Sequence, residues 1–431
     1  MERDETQLAA MLERDVDDPR RLLRGLLDDV LALADPANML RDRLPAPPKG
    51  RTFVAAAGKA AASMARAVEM AWPRHAPLSG IAVTRYGHGT ACERIEVIEA
   101  AHPVPDARSM EVGARMLAQA EQLTADDLML CLISGGGSAL LVVPAPGVSL
   151  DEKRAINRAL LASGRPIGEM NVVRRHLSGI KGGRLAAAAH PAPTYTLAIS
   201  DVPGDDPAAI ASGPTVGDPT TVEDAAAIVS RLGIDFDPAR LHESVKPDDP
   251  RLAKATFELA ATPGSVLSAF VAGADRNAFD VLDLGAEIEG EAGSVARTHA
   301  LLVRELAETA ARPTLVVSGG ETTVTVADHE RPGRGGRNTE YALALAIALE
   351  GGPGVHAIAC DTDGIDGSEA DAGALVTPDT LARARAAGLD PADHLRRHDS
   401  HTLFAALGDL VTTGPTRTNV NDFRAILVSP R

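Results

Sequence analysis

Aromatic side chains make up only 3% of this 431-residue chain, so its cores are expected to be aliphatic, with alanine abundant. Its three cysteines, Cys92, Cys131 and Cys360, are odd in number and far apart. That excludes a disulfide framework or a C-x-x-C zinc site and makes a reducing cytoplasm the expected compartment. No stretch reaches the ~18 uninterrupted apolar residues of a membrane helix, and the charged start Met1-Glu-Arg-Asp-Glu-Thr6 has no signal-peptide character. Basic surplus is also missing: 43 Lys and Arg face 59 Asp and Glu, a net charge of −16, which argues against a nucleic-acid partner. Several familiar motifs are incomplete. Gly135 and Gly137 are followed by Leu140, and Gly333 and Gly335 by Asn338, so no G-x-G-x-x-G is complete. Gly58-Lys59 lacks a Walker loop before it and has Ala60 where Ser or Thr would be. Ser138 lacks the G-x-S-x-G elbow. His394, His398 and His401 have i, i+4, i+7 spacing without the Glu of H-E-x-x-H, and a solvated helical face is expected there.

What is present is organised around the strand-like run Asp127–Ile133, which empties into Ser134-Gly-Gly-Gly-Ser138. In open α/β sheets ligands bind at the carboxyl ends of strands, and a loop free of side chains lets backbone N–H groups converge on an anion. The pattern recurs at Thr314–Ser318 with Gly319 and Gly320. Strand-like runs at 52–57, 81–84, 95–100 and 194–200 alternate with helical patterns at 60–71 and 107–122, a capped helix from Ser149 and a basic helical stretch over 168–189. Alternation of this kind predicts βαβ units and a mostly parallel sheet. Residues 4–34 read as two helices, the second opened by Asp18-Pro19. The stretch 235–262 reads as a connection, and the chain divides into 1–245 and 246–431. Beyond it, strands are expected at 269–272, 314–318, 322–326, 356–360 and 424–428, with helices at 290–311 and 338–349 and two or three more before the last strand.

Four polar clusters fall where strands end. Lys59 follows the first strand and can reach a phosphate or carboxylate, or be an ordinary solvated lysine. Asp201, Asp205 and Asp206 form an acidic turn that suits Mg²⁺ or is only a turn. Arg337 and Asn338 open a helix beside Gly335 and Gly336 and could receive an oxyanion or simply cap the helix. Asp361, Asp363 and Asp366 resemble a calcium loop but lack its Gly and Glu, leaving a divalent cation or substrate hydroxyls as the partner.

Taken together the motifs resemble the class II glycerate kinases, a two-domain family with a C-terminal MOFRL domain. The resemblance rests on Gly58-Lys59-Ala-Ala, His102-Pro-Val-Pro-Asp106, Ser134–Leu140, Asn171–Ser178, Lys181-Gly-Gly-Arg-Leu185, Ser200–Asp205 and Ala211-Ser-Gly-Pro-Thr215. The second half adds Ser318–Thr322, Gly335–Asn338, Asp361–Gly367, Thr413–Thr416 and Thr418-Asn-Val-Asn-Asp422. It implies a larger Rossmann-like three-layer domain and a smaller α/β domain with its MOFRL region at about 312–428, the active site lying in the cleft between. The activity implied is phosphorylation of D-glycerate by ATP and a divalent cation such as Mg²⁺, giving 2-phosphoglycerate. Lys59, Asp201 and Arg337 match the family's active-site lysine, aspartate and arginine. On this basis Ser134, Gly135, Gly136, Gly137, Ser138 and Lys181 are expected at the nucleotide phosphates. Arg175, Gly319, Gly320, Glu321 and Asn338 are expected at glycerate, and Asp201, Asp361, Asp363 and Asp366 at the metal. Thr339 stands where many members have Gln, and Arg417 where a Gly is common. The alternatives are an NAD(P)H-dependent hydroxypyruvate reductase and a non-catalytic sugar-acid or nucleotide sensor. The partner is a small molecule, with no membrane, and homo-oligomer formation is left open.

Overall fold

The computed structural model describes residues 18–276, 278–326 and 333–430; the helix expected before Asp18 lies outside them. The chain forms two compact units. One is Pro36–Thr262; the other joins the helix Pro19–Leu33 to the chain from Pro263 onward. By compactness the junctions fall at Asp35/Pro36 and Thr262/Pro263.

The Pro36–Thr262 unit is built on β1 (Thr52–Ala57), β2 (Leu78–Arg85), β3 (Ile95–Ala100), β4 (Leu128–Ile133), β5 (Thr194–Ile199) and β6 (Ala255–Ala261). All neighbours are parallel, in the order β3-β2-β1-β4-β5-β6. That is the doubly wound order, which reverses between β1 and β4. Both of those strands are buried at every position, because helices cover a parallel sheet on its two faces. Phe53, Ala55, Met129 and Cys131 pack with Val112 and Met116 of the helix Ala107–Ala120 and with Leu185 of the helix Arg184–Ala189. The segment expected as a connection contains β6, an edge strand mostly half-exposed along its length; it therefore lacks the continuous apolar run of a central strand.

Ser149 and Glu152 do form a capping box at the helix Leu150–Ala162. The basic stretch is two helices, Ile167–His176 and Arg184–Ala189, parted where Gly182 and Gly183 take φ of +58° and +76°.

In the other unit the helix Pro19–Leu33 starts on the Asp18 cap with Pro19 at its first position. It buries Leu22, Leu23, Leu26, Leu27 and Val30 against the helix Pro263–Gly273 and two strands of a second sheet. Residues 269–272, expected as a strand, belong to that helix: a four-residue apolar run cannot by itself distinguish the two. The remaining strands are β7 (Asp280–Asp283), β8 (Glu289–Glu291), β9 (Thr314–Ser318), β10 (Glu321–Thr323), β11 (Val355–Asp361), β12 (Gly373–Val376), β13 (Leu410–Val411) and β14 (Asp422–Val428). Six of them form a sheet ordered β13-β12-β11-β14-β9-β7. Only β7 and β9 are parallel; β14 runs antiparallel to both its neighbours. The helices Ala292–Thr309 and Arg337–Leu349 supply this unit's apolar core with alanine, leucine and the fully buried Tyr341.

Candidate active site

The β1–β4 reversal point carries the two loops of greatest interest. Register aligns Ala57 with Ile133 and Ile133 with Ala198. Gly58-Lys59, Ser134–Ser138 and Ser200-Asp201 thus leave adjacent strands at nearly the same level. The first two loops are hydrogen-bonded together: the Lys59 amide donates to the Gly135 carbonyl at 2.8 Å, and the Ala60 amide to Ser134 Oγ at 3.0 Å. Gly58, at φ +135°, lies so close that a Cβ there would stand 2.2 Å from Ser134 Oγ. Thr84 of β2 donates its hydroxyl to the Lys59 carbonyl at 3.0 Å. A Cβ on Gly136 would meet the Lys59 side chain at 3.3 Å and His102 Nε2 at 2.9 Å, so both side chains run beside the glycine loop. The sequence motifs assign His102 no role, although it opens one of them.

Among the described residues, no protein acceptor takes the amides of Gly135, Gly136 or Ser138. Donors left over at a strand's carboxyl end, with a lysine alongside, form a concavity suited to an anion. Ser138 Oγ contacts Ser212 Oγ at 2.8 Å.

Two residues expected at ligands are instead interior. Lys181 is 1% exposed and its Nζ donates to the carbonyls of Leu141 and Ala211 at 3.1 and 3.3 Å. Burial, then Lys153 and Arg174, pushes its pKa well below the usual lysine range. It is a strut beneath the loop, correcting its placement at the phosphates. Arg175 is likewise buried, paired through Nε with Asp218 at 2.9 Å and donating to the Ala208 carbonyl. Its guanidinium is thus engaged by the interior, where the expectation placed it at glycerate.

In the second unit Arg337 opens the helix Arg337–Leu349 amid three carboxylates. It pairs with Glu321, with Asp361 at 2.7 Å and with Asp422 at 2.8 Å. Burial disfavours its charge, but Asp422, Asp361 and Glu321 outweigh that and hold it protonated above the usual arginine range. Asp422 Oδ1 also accepts from Asn338 Nδ2 at 2.8 Å, and its Oδ2 from Arg424 at 2.5 Å. Glycerate contacts are expected at Gly319 and Gly320, but their smallness is used by the backbone. A Cβ on Gly320 would stand 2.2 Å from the Ile288 carbonyl oxygen, and one on Gly319 3.1 Å from Ala286.

Asp366, expected at a metal, is occupied within the protein. Its Oδ1 accepts from the Asn338 amide at 2.9 Å, and its Oδ2 from the Thr339 amide and hydroxyl, both at 2.8 Å. It therefore braces the helix N-terminus, a favourable place for a carboxylate, although burial raises its pKa. Asp363 accepts from the Ile365 amide and donates its own amide to Asp361. Among the described residues, no group of three or more His, Cys, Asp or Glu side chains is arranged to hold a metal ion.

The three histidines do not share one helix. The helix Pro391–Arg396 ends before His398, which sits at φ +52°, and Ser400–Leu407 begins anew. Each pairs with its own carboxylate: His394 with Asp399, His398 with Glu340, His401 with Asp371. His394 and His401 are 6% and 5% exposed, so in place of the expected solvated face these rings are turned inward onto carboxylates.

Residues 22–246 match the family described as "Domain of unknown function (DUF4147)", and residues 314–422 match the "MOFRL family". A protein of Agrobacterium vitis named putative hydroxypyruvate reductase is 52% identical over 95% of this chain and 94% of its own length. The D-glycerate 2-kinase of Thermotoga maritima is 37% identical over 90% of this chain and 93% of its own. A crystal structure of glycerate kinase from Thermotoga maritima superposes with a TM-score of 0.85 at 35% identity, covering 95% of this chain and 99% of that one. A doubly wound parallel unit, a MOFRL region and near full-length similarity place the chain in the class II glycerate kinase family.

Proposed function

We propose that this protein is an enzyme that transfers the terminal phosphoryl group of ATP to the 2-hydroxyl of D-glycerate, releasing ADP. The observation carrying this reading is the set of spare amides at Gly135, Gly136 and Ser138 beside Lys59, at the reversal point of a doubly wound sheet. Phosphoryl transfer asks chiefly for positioning and charge neutralisation. The loop amides would hold phosphate oxygens, and the Lys59 ammonium would offset the charge that gathers on the transferring group. Asp201, two residues beyond β5, would accept the proton of the attacking hydroxyl or hold the divalent cation that accompanies ATP. Mg²⁺ needs only one or two protein carboxylates because phosphates and waters complete its shell. Asp361 and Asp363 remain candidates for that cation or for glycerate hydroxyls; Asp366, whose oxygens already accept from the Asn338 amide and from the Thr339 amide and hydroxyl, is the least available of the three. Arg337 would engage the glycerate carboxylate after exchanging one of its three carboxylate partners, Glu321 being the most exposed of them.

Lys59→Ala and Arg337→Ala are each expected to lower kcat/KM for glycerate by about 10²-fold or more; wild-type values in both would refute the assignment. Phosphorus NMR of the product distinguishes 2- from 3-phosphoglycerate. The name of the Agrobacterium vitis relative favours a second reading, reduction of hydroxypyruvate with NAD(P)H. Against it stands the β1 turn, Gly58-Lys59-Ala60, where a dinucleotide fold would carry its glycine fingerprint. ADP release with glycerate and ATP, set against NAD(P)H oxidation with hydroxypyruvate, separates the two.

A further inference from the structure

We propose that the turn Ala211-Ser212-Gly213 is a positioning element for the glycine loop, and that Ser212 is a positioning residue for the Ser138 hydroxyl. The inference rests on the reading of that loop as the phosphate site. Three consecutive residues here adopt left-handed backbone, at φ +50°, +62° and +61°, yet only the third is glycine. An L side chain in that region is sterically disfavoured and persists only when its surroundings hold it.

The surroundings do so at each residue. Lys181 Nζ takes the Ala211 carbonyl at 3.3 Å, the Gly182 amide takes the Ser212 carbonyl at 3.2 Å, and the Gly183 amide takes the Gly213 carbonyl at 2.9 Å. The same side-chain nitrogen holds the Leu141 carbonyl at 3.1 Å, one residue past the short helix that begins at Gly137. One buried amine thus ties the strained turn to the end of the short helix that begins inside the loop. The strained conformation brings two groups against that loop. Ala211 fills the space beneath Gly137, where a Cβ would stand 2.7 Å from its own. Ser212 Oγ reaches Ser138 Oγ at 2.8 Å.

The direction of that hydrogen bond follows from the next contacts. Asn171 Oδ1 lies 3.4 Å from Arg174 Nη1, and a guanidinium can only donate, so this side-chain atom of Asn171 is an acceptor. Ser212 Oγ, 3.2 Å from the same oxygen, must donate to it. Its single hydrogen is then spent, and Ser138 must donate to Ser212. The Ser138 hydrogen is therefore turned toward the turn, away from the loop's ligand, and phosphate oxygens are left to the loop amides.

The test uses the full-length protein, with ADP as the probe. Ser212→Ala and Ser212→Gly are both expected to raise the Kd for ADP by about tenfold, the loss of one hydrogen bond, while KM for glycerate moves less than twofold. Glycine relieves the strain, so Ser212→Gly is expected to melt no lower than Ser212→Ala; loss of affinity in both then separates positioning from stability. Adding Ser138→Ala to Ser212→Ala is expected to cost nothing further. Independent, multiplying losses would overturn the coupling. Gly136→Ala, which drives a methyl at His102 and Lys59, tests the phosphate reading itself. If it abolishes ADP binding while Ser212→Ala binds ADP normally, the positioning inference falls alone. If Gly136→Ala leaves ADP affinity intact, the phosphate reading falls. Hydrogen exchange then decides the turn's role: faster exchange of the Gly135–Ser138 amides in Ser212→Ala upholds it, and unchanged exchange overturns it.

Discussion

Asp422→Asn tests the second unit's charge cluster most directly. Asp422 is 2% exposed and uses both oxygens, Oδ1 on Arg337 Nε and Asn338 Nδ2 at 2.8 Å each and Oδ2 on Arg424 Nη2 at 2.5 Å. Asparagine conserves volume, but it removes the charge and turns an NH₂ group toward a guanidinium. Arg337 would keep Asp361 and Glu321. Arg424, 1% exposed, has no other ion pair among the described residues; the Gly319 carbonyl and Thr322 hydroxyl would remain as its neutral acceptors. Removing one partner of a buried pair costs about 3–5 kcal/mol. At roughly 2–4 °C per kcal/mol for a unit of this size, Tm should fall by roughly 6–20 °C. Differential scanning calorimetry of the full chain reads this as a drop in one transition. The comparison is Asp249→Asn, which breaks the surface pair with Arg251 and should cost less than about 1 kcal/mol. If Asp422→Asn shifted Tm no more than Asp249→Asn, the claim that this carboxylate compensates a buried arginine would be wrong.

Burial, then Arg424, lowers the pKa of His299 from 6.5 to about 4. The unfolded chain therefore takes up a proton between those values that the folded chain refuses. His299 stabilises fully above pH 6.5 and its contribution drains away as pH falls toward 4, about 3 kcal/mol in all; urea melts at pH 7 and 4.5 should show a smaller gap in His299→Gln. Gly58→Ala places a Cβ 2.2 Å from Ser134 Oγ and 2.5 Å from its carbonyl oxygen at φ +135°, and should displace the glycine loop, seen as loss of ADP binding by calorimetry. Ser149→Ala removes the cap of the helix Leu150–Ala162 and should cost about 1 kcal/mol with kcat/KM unchanged; a tenfold loss of activity would contradict its purely structural place.

The parallel sheet was legible because its central strands are unbroken apolar runs, and their burial is complete for the same reason. β6 and β13 were not, being a half-exposed edge strand and a two-residue strand. The loops at Gly58-Lys59 and Ser134–Ser138 could be read as a pair, since glycines at strand ends let backbone approach backbone, or a ligand, without a Cβ in the way. Which polar residues face inward could not be read. Lys181 and Arg175 have the side chains of ligand binders, and only the packing around them spends those donors on Leu141, Ala211 and Asp218. Asp422 and Arg424 show the converse. Their neighbours in the cluster come from β10, β11 and the helix Arg337–Leu349, separations along the chain that no local pattern records.

The helix Pro19–Leu33 has its partners on the far side of a 227-residue insertion, Pro36–Thr262. During synthesis its leucine face is made first and waits for the helix Pro263–Gly273 and then for β11 and β14, while the inserted sheet has all its strands once β6 emerges. Domains fold as units as the chain emerges, so the order of completion here is the inserted unit first and the enclosing one afterwards. Because β14 lies between β11 and β9, the enclosing sheet stays split in two until its last strand arrives. A ribosome stalled just past Pro263 would thus hold a finished inserted unit and an apolar helix still without its partners, the kind of surface that chaperones bind.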